Sequence, residues 1–241
     1  MQGALSYQKT IVWVILYSVG MAFLESAVVI YLREIYYPYG FDFPLVPIDP
    51  HIAITEIGRE AATLLMLLAV GIIAGRSRIQ RFAYFLLSFA VWDIFYYIFL
   101  KALIGWPESW MTMDVLFLIP TTWVGPVIAP LIISLSMILL FSVIIYHEHR
   151  GRKVKFSALT WILLILGSMD LILAFIWDYS SYMLQYHTLN QLLSFSDTGA
   201  ILDTAYAYIP RSFNWFLFVL GLIIIITGII TGGRNIRNEG S

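Results

Sequence analysis

Six apolar stretches, each long enough to cross a bilayer, constrain the fold of this chain more than any other feature. They occupy residues 11–32, 52–75, 82–104, 127–146, 156–178 and 208–231. A helix needs about 20 residues to cross a hydrocarbon core about 30 Å thick. Only 12% of the 241 residues are charged, whereas a soluble domain carries about 25%. The sequence therefore predicts an all-α integral membrane protein, with six transmembrane helices bundled in a single domain over residues 1–241.

Lysine and arginine are distributed unevenly between the two sides of the predicted bundle. With both termini on one side, that side collects ten of the fourteen basic residues, mainly in the short segments 76–81 and 150–155. Basic loops are retained in the cytoplasm. The chain also resembles the many small multi-pass proteins of prokaryotic cytoplasmic membranes. We therefore expect a multi-pass protein of a prokaryotic inner membrane whose N- and C-termini are cytoplasmic.

The loops expected on the outer side are long, apolar and rich in proline and aromatic residues. Residues 36–50 contain four prolines and five aromatic residues, so this loop cannot be helical throughout. Residues 106–126 carry two apolar stretches between Trp-Pro and Gly-Pro breaks and predict a re-entrant or interfacial segment. Residues 180–209 suit interfacial helices with one apolar face. The loops indicate an aromatic belt at the interface, a lid over a pocket, or both.

Acidic residues interrupt the apolar stretches where lipid is otherwise expected. Each such group costs about 2.5–3.5 kcal/mol at the centre of a span, so its presence requires an explanation. A rise of about 1.5 Å per residue places polar groups of five helices in one layer, slightly outside the midplane. They are Glu25, Glu60, Asp93, Asp170 and Asn214. We predict that the four acids of this layer converge around Arg59 and face outward.

Two of the predicted helices carry polar residues at helical spacing. Glu56, Arg59 and Glu60 lie at i, i+3 and i+4 on the second helix, and this spacing places them on one face. On the third helix, Tyr97 follows Asp93 by four residues. These polar stripes must face protein or water rather than lipid. We include all five residues in a predicted ligand, proton or cation site.

Three basic side chains are expected at the outer rim of this site, namely His51, Lys101 and Arg211. In the acidic layer itself Arg59 is the only cation, so the carboxyl groups outnumber their partners. The excess acids must be protonated, contact water or bind a cation, and oxygen ligands make a divalent cation such as Mg²⁺ one option. The alternative is a polar core that only fixes the register of the helices.

The residue content excludes several kinds of cofactor. The chain has no cysteine, which excludes disulfides, thiolate metal sites and iron–sulfur clusters. Its four histidines lie outside the predicted membrane cores, which argues against a bis-histidine haem. No glycine-rich nucleotide-binding pattern occurs. We therefore expect no haem, no iron–sulfur cluster and no nucleotide cofactor, and no nucleic-acid partner.

Three kinds of function remain open from the sequence. The favoured hypothesis is proton- or cation-linked binding or transport of a small or amphiphilic ligand. The alternatives are an accessory or assembly subunit of a larger membrane complex, and an intramembrane enzyme that modifies lipids with acidic residues as general acid and base. Beyond the lipid bilayer, the partners remain open. The GxxxG pairs at 71–75 and 228–232 are compatible with a homodimer.

Overall fold

The computed structural model describes residues 2–194 and 197–238 and confirms the all-α membrane-bundle class. Six helices are long and apolar enough to cross a membrane: α1 (Gln2–Tyr36), α2 (Pro50–Ala74), α3 (Arg78–Ile104), α4 (Ile128–His149), α5 (Ala158–Tyr186) and α8 (Trp215–Asn238). The strands β1 (Met113–Phe117) and β2 (Trp123–Pro126) lie between α3 and α4, and the short helices α6 (Leu189–Ser194) and α7 (Thr198–Tyr206) precede α8. The chain is thus a multi-pass membrane protein.

Both strongly basic loops lie at one end of the bundle, which we call the basic end. The side-chain amide of Gln80, near the start of α3, donates to Tyr7 Oη of α1 at 3.1 Å and to Glu148 Oε2 of α4 at 2.6 Å. These bonds connect three helices beside the loops at 75–77 and 150–157. The opposite end carries the long loops, and we call it the loop-rich end.

Helix α3 is the centre of the bundle. It packs against α1, α2 and α4, while α5 pairs with α8, and α4 also contacts α8. Of the 18 most apolar consecutive residues of α3, 61% are buried, which is the largest share among the six spans. Tyr84 and Leu100 of α3 are almost completely enclosed. Gln80, Ser88, Asp93 and Tyr97 of α3 are buried and therefore face protein rather than lipid.

Small residues allow close approach between neighbouring helices. A Cβ added to Gly71 of α2 would lie 2.7 Å from the backbone nitrogen of Phe85 in α3. On α5 and α8, a Cβ at Gly167 or at Gly221 would lie 2.8 or 2.9 Å from the other glycine's carbonyl oxygen. Gly228 also packs against α5. The predicted GxxxG pairs thus contribute to packing within one chain.

The last span differs from its predicted position, because α8 begins at Trp215 rather than near residue 208. The Asn214 side-chain oxygen accepts the N–H of Leu217 at 3.1 Å, and a bond of this kind caps the start of a helix. The preceding segment 208–214 is not helical, and in it the Tyr208 hydroxyl donates to Asp178 Oδ2 at 2.8 Å. Asn214 therefore terminates a loop and does not project from the middle of a helix.

The segment 106–126 contains an antiparallel β-hairpin that inserts between the helices. Its strands pair Asp114 with Gly125 and Val115 with Val124, and the register shifts between Val115 and Phe117. A Cβ added to Gly125 would lie 2.6 Å from the ring of Phe175 in α5. Non-helical backbone is tolerated at membrane depth only where protein covers it or where it lines a cavity. This hairpin meets that condition because helices pack around it.

Candidate functional site

Two acids share one guanidinium group between α1 and α2. Arg59 Nη1 donates to Glu25 Oε1, and Arg59 Nε donates to Glu56 Oε2 at 2.8 Å. Thr63 Oγ1 donates to the second oxygen of Glu25 at 3.2 Å. The side chains of Glu25 and Glu56 are each only 10% exposed. We call these four residues the ion cluster, and they account for part of the predicted convergence around Arg59.

Glu60 fixes the tip of the hairpin. Both of its carboxylate oxygens accept the backbone N–H of Leu118, at 3.1 and 3.0 Å. Leu118 directly follows β1, so a side chain of α2 satisfies a backbone donor where the strand pairing ends. The sequence predicted an outward-facing site around this acid. The structure instead places the hairpin against Glu60.

Asp114 of the hairpin joins α1 to α3. Arg33 Nη2 lies 3.4 Å from Asp114 Oδ1, and the Tyr97 hydroxyl donates to Asp114 Oδ2 at 3.1 Å. The Arg33 guanidinium lies 3.8 Å from the ring centroid of Trp106 and 4.5 Å from that of Phe41, within cation–π range. Burial raises the pKa of Asp114 to about 6, although Arg33 and the Tyr97 hydroxyl oppose the shift.

The sequence reasoning missed this pair. The sequence predicts no partner for Arg33, and it predicts Asp114 only as one residue of the re-entrant or interfacial segment 106–126. A usable signal was present, because Asp114 is the only charged residue in the apolar stretch 113–119. An ionisable residue within an apolar stretch predicts a buried acid with a nearby partner.

Asp93 occupies a different place from the ion cluster. Its Oδ2 atom accepts the Ser134 hydroxyl of α4 at 2.8 Å, and in the described parts of the chain this is the one hydrogen bond that the carboxyl group makes. Asp93 forms part of the wall of a cavity of about 270 Å³. The remaining wall is mainly apolar and aromatic and includes Phe89, Phe117, Ile119, Met137 and Phe175.

The cavity reaches the side of the bundle through α5. Ser168 and Ile172 line it, and both are exposed on the surface of the structure, Ile172 to 37%. Ser168 lies about 15 Å along α5 from its start at the basic end, which is near the middle of a membrane about 30 Å thick. Two residues of the cavity wall are therefore exposed on the side of α5, at a depth near the middle of the membrane.

An unpaired donor also belongs to the cavity wall. Trp123 of β2 lines the cavity, and its indole N–H is buried without an acceptor among residues 2–194 and 197–238. A buried donor that lacks a partner costs about 1–3 kcal/mol. The polar side chains of the otherwise apolar wall are Asp93, Ser134 and Ser168, and the indole N–H of Trp123 is enclosed by protein.

The structure does not gather all the predicted acids around Arg59. Asp93 bonds to Ser134, and Asp170 lies on α5 beside Gly221 of α8. Within the described residues, Asp170 has no hydrogen bond or ion pair. The reason for the difference is that depth along a helix does not determine the direction in which a side chain points. Helix α5 pairs with α8, whereas Arg59 faces α1.

The three predicted rim residues make hydrogen bonds within loops and at helix ends. The Lys101 ammonium group donates to two carbonyl oxygens of the following loop, at 2.9 and 2.8 Å. His51 is exposed in the first turn of α2, where its backbone N–H donates to Asp49 at 2.8 Å. The backbone N–H of Arg211 donates to Asp178 at 3.1 Å. These contacts stabilise the loop-rich end.

Metal-ligand geometry is not found in the part of the chain that the structure describes. Among these residues, no group of three or more histidine, aspartate or glutamate side chains is arranged to hold a metal ion. Glu25, Glu56 and Glu60 are instead engaged by Arg59, Thr63 and the Leu118 N–H. The divalent cation stays a prediction from composition.

The fold and these sites define the class of the molecule as a polytopic α-helical membrane protein with a β-hairpin inserted among its helices. No known family model, curated protein or solved structure matches the chain. Inferences about its function therefore depend on the arrangement of its own residues, above all on the cavity at Asp93.

Proposed function

We propose that this protein binds an amphiphilic molecule from the bilayer in the cavity between α3, α4, α5 and the hairpin. The observation that carries the proposal is the Asp93 carboxyl group, held by Ser134 in a wall whose other described residues are not ionisable. Ligand sites typically combine an apolar surface with a few placed polar groups. An ionisable residue inside a membrane protein marks a functional site by default.

The chemistry of the wall indicates which end of the ligand lies inside. Asp93 Oδ1 has no hydrogen-bond partner among the described residues, and the Trp123 indole N–H also lacks one. We infer that a hydroxyl or amine group of the ligand bonds to Asp93, whereas the Trp123 N–H is enclosed by protein. A carboxyl at this depth also supports the proton linkage expected from the sequence, because ligand binding changes its cost of ionisation.

The size and the opening of the cavity support a membrane-borne ligand. A volume of about 270 Å³ is slightly below the usual range of small-molecule pockets, about 300–1,000 Å³. We infer that the cavity encloses a compact polar group with a short apolar segment, while the remaining chain lies in lipid beside Ser168 and Ile172. We favour binding over passage across the membrane, because the hairpin covers the cavity on its loop-rich side.

The ligand is tested by purifying the protein in mild detergent and measuring bound molecules by mass spectrometry. We expect one amphiphilic species to co-purify with the native protein and its occupancy to fall about tenfold in Asp93→Asn, since a hydrogen bond to a charged group is worth about 1.5–3 kcal/mol. Asp170→Asn is the matched control, because it makes the same change outside the cavity. Equal occupancy in the two variants, or an empty native protein, would contradict the proposal.

A role as an accessory subunit is the second candidate. It is favoured by large apolar side chains exposed on the short helices of the loop-rich end, including Leu189, Leu193 and Leu202. Such residues also suit an interfacial position in the membrane. Co-purification of a stoichiometric protein partner, together with normal function of Asp93→Asn, would favour the subunit. The lipid-modifying enzyme stays a prediction from the sequence.

We infer that the basic end faces the cytoplasm of a prokaryotic cell, because basic loops are retained on that side. The chain has no cysteine, so single cysteines can be introduced without background labelling. We expect Lys153→Cys to resist a membrane-impermeant maleimide in intact cells and Gln191→Cys to react. The reverse pattern would invert the assigned topology.

A further inference from the structure

A second cavity lies at the basic end between α4 and α8, and its wall is strongly cationic. It measures about 770 Å³ and is lined by Arg150, Arg152 and Arg234, together with His147. None of its described lining residues is acidic. We propose that this cavity binds the phosphate headgroup of an anionic membrane lipid. The inference is independent of the ligand proposed at Asp93.

Glu148, an acid in the last turn of α4, does not neutralise these arginines. Glu148 Oε2 accepts the side-chain amide of Gln80 at 2.6 Å, and Glu148 Oε1 accepts the N–H of Val154 at 3.3 Å. Its carboxylate is thereby held on the α3 side of α4. Among the residues described, Arg150, Arg152 and Arg234 form no ion pair, although neighbouring acids usually pair with clustered cations in membrane proteins.

Two of the arginines are already supported in place. The Arg150 guanidinium lies 4.4 Å from the ring centroid of Tyr146, and Arg152 Nη1 lies 3.5 Å from His147 Nδ1. A guanidinium presents its N–H donors as a planar fork that matches phosphate oxygens. Because stacking already limits the motion of Arg150, less conformational entropy is lost when an anion binds.

The inner part of the cavity is apolar, which distinguishes a lipid from free phosphate. Its wall includes Val143 and Ile230, and it reaches Ser142, which lies about 10 Å along α4 from His149. A phosphate at the arginines therefore has apolar surface directly beside it, where an acyl chain fits. Basic pockets between membrane helices at the cytoplasmic side bind lipid headgroups in this way.

The number of cations indicates the preferred headgroup. A phosphodiester carries one negative charge, whereas three arginines line this cavity. We infer that a lipid with two phosphodiester groups, such as cardiolipin, binds more tightly than phosphatidylglycerol. Phosphatidylcholine has no net charge and brings a cation to the arginines, so it should bind weakly.

The charge requirement is tested with delipidated full-length protein by native mass spectrometry, with defined lipids added in detergent. Arg150→Gln/Arg234→Gln removes two charges from the cavity. Lys153→Gln/Lys155→Gln removes two from the exposed part of the same loop, outside the cavity. We expect the first pair to weaken cardiolipin binding about tenfold or more, since each basic residue near a membrane surface contributes substantially. The second pair should change it less than about twofold.

A steric variant tests the cavity without changing its charge. Gly233 lines the cavity, and a Cβ added there would first meet Val143 at 3.6 Å, an ordinary contact distance. Gly233→Ala should therefore fold and bind lipid as the native protein does. Gly233→Leu should fill the space beside Val143 and weaken lipid binding about tenfold, because the acyl chain loses its contact surface.

Three outcomes would overturn this proposal. The first is an equal loss of affinity in the arginine and lysine double variants, which would indicate diffuse surface attraction. The second is unchanged binding in Gly233→Leu. The third is that inorganic phosphate at millimolar concentration binds the protein as well as cardiolipin does. That result would indicate an anion site without a lipid. The arginine variants keep the test decisive if Gly233→Leu does not fold.

Discussion

The region around α1, α2 and α3 and the pair formed by α5 and α8 are held together by different interactions in the same membrane. The first region relies on polar bonds, such as Arg59 with Glu25, and the Ser88 hydroxyl that donates to the Leu67 carbonyl at 3.1 Å. The second relies on contact between backbones at Gly167 and Gly221. Lipid supplies no hydrophobic drive for helix association. The first region is therefore stabilised by hydrogen bonds and ion pairs between helices, and the second by close packing of helix backbones.

The two kinds of interaction respond differently to substitution. A polar contact fails when one partner is removed, because the other partner stays buried and unpaired. A glycine contact fails when atoms are added, because close packing has no room for them. Gly71 shows that the polar region also uses a close approach, but only near the basic end of α2.

The largest effect is expected at the ion cluster. Arg59→Leu leaves Glu25 and Glu56 buried without a cation, and removal of one partner of a buried pair costs about 3–5 kcal/mol. Thermal unfolding in detergent measures the loss. Arg78→Leu, at an exposed position of the basic end, should change stability by less than about 0.5 kcal/mol. Similar melting temperatures for the two variants would show that the cluster adds no stability.

The second-largest effect is the change of folding stability with pH that Asp114 of the hairpin causes. In the folded protein the pKa of Asp114 is about 6, above its ordinary value of 3.8. Between about pH 4 and pH 6 the folded state keeps a proton that the unfolded state releases, so this group lowers stability as pH rises and adds no slope above about pH 6. The shift corresponds to about 3 kcal/mol.

Asp114→Asn removes the titrating group while it keeps the size of the side chain. We expect the fall in unfolding free energy between about pH 4 and pH 6 to be reduced in this variant relative to the native protein. Unfolding curves recorded at several pH values in the same detergent give both slopes. Parallel curves for the two proteins would show that Asp114 does not titrate in this window.

The smallest effect is expected at the glycine contact. Gly221→Ala places a methyl group 2.9 Å from the Gly167 carbonyl oxygen, and such overpacking costs about 1–3 kcal/mol. Gly20→Ala is the control, because no atom lies within 4 Å of a Cβ added in that part of α1. Alanine has a higher helix propensity than glycine, so the control should be neutral or slightly stabilising. Equal destabilisation of both variants would rule out the contact as the cause.

The sequence predicted the bundle well because the membrane requires each span to have a length and a hydropathy that are visible along the chain. Span length and hydropathy follow directly from bilayer thickness. Depth could also be inferred and brought Glu25 into the region of Arg59, and helical spacing did the same for Glu56. The partner of Asp93 could not be inferred, because Ser134 lies on another helix and helical spacing gives no information on which helices become neighbours. Asp170 was misplaced for the same reason.

The hairpin could be predicted only as an interruption of the helical pattern. The proline breaks marked 106–126 as non-helical, but two strands of four and five residues carry too little pattern to fix their pairing. A single hairpin is marginally stable by itself. Its conformation depends on surrounding residues such as Glu60 and Phe175, which are distant in the sequence.

The hairpin also constrains the order in which the protein is assembled in the cell. Its strands cannot remain in lipid with unpaired backbone groups, yet β2 packs against Phe175, which the ribosome adds fifty residues after Gly125. The segment must therefore stay outside the hydrocarbon layer until α5 has inserted. We expect its entry to be a late, post-insertional step of biogenesis. A nascent chain that stops after α4 should leave this segment open to protease.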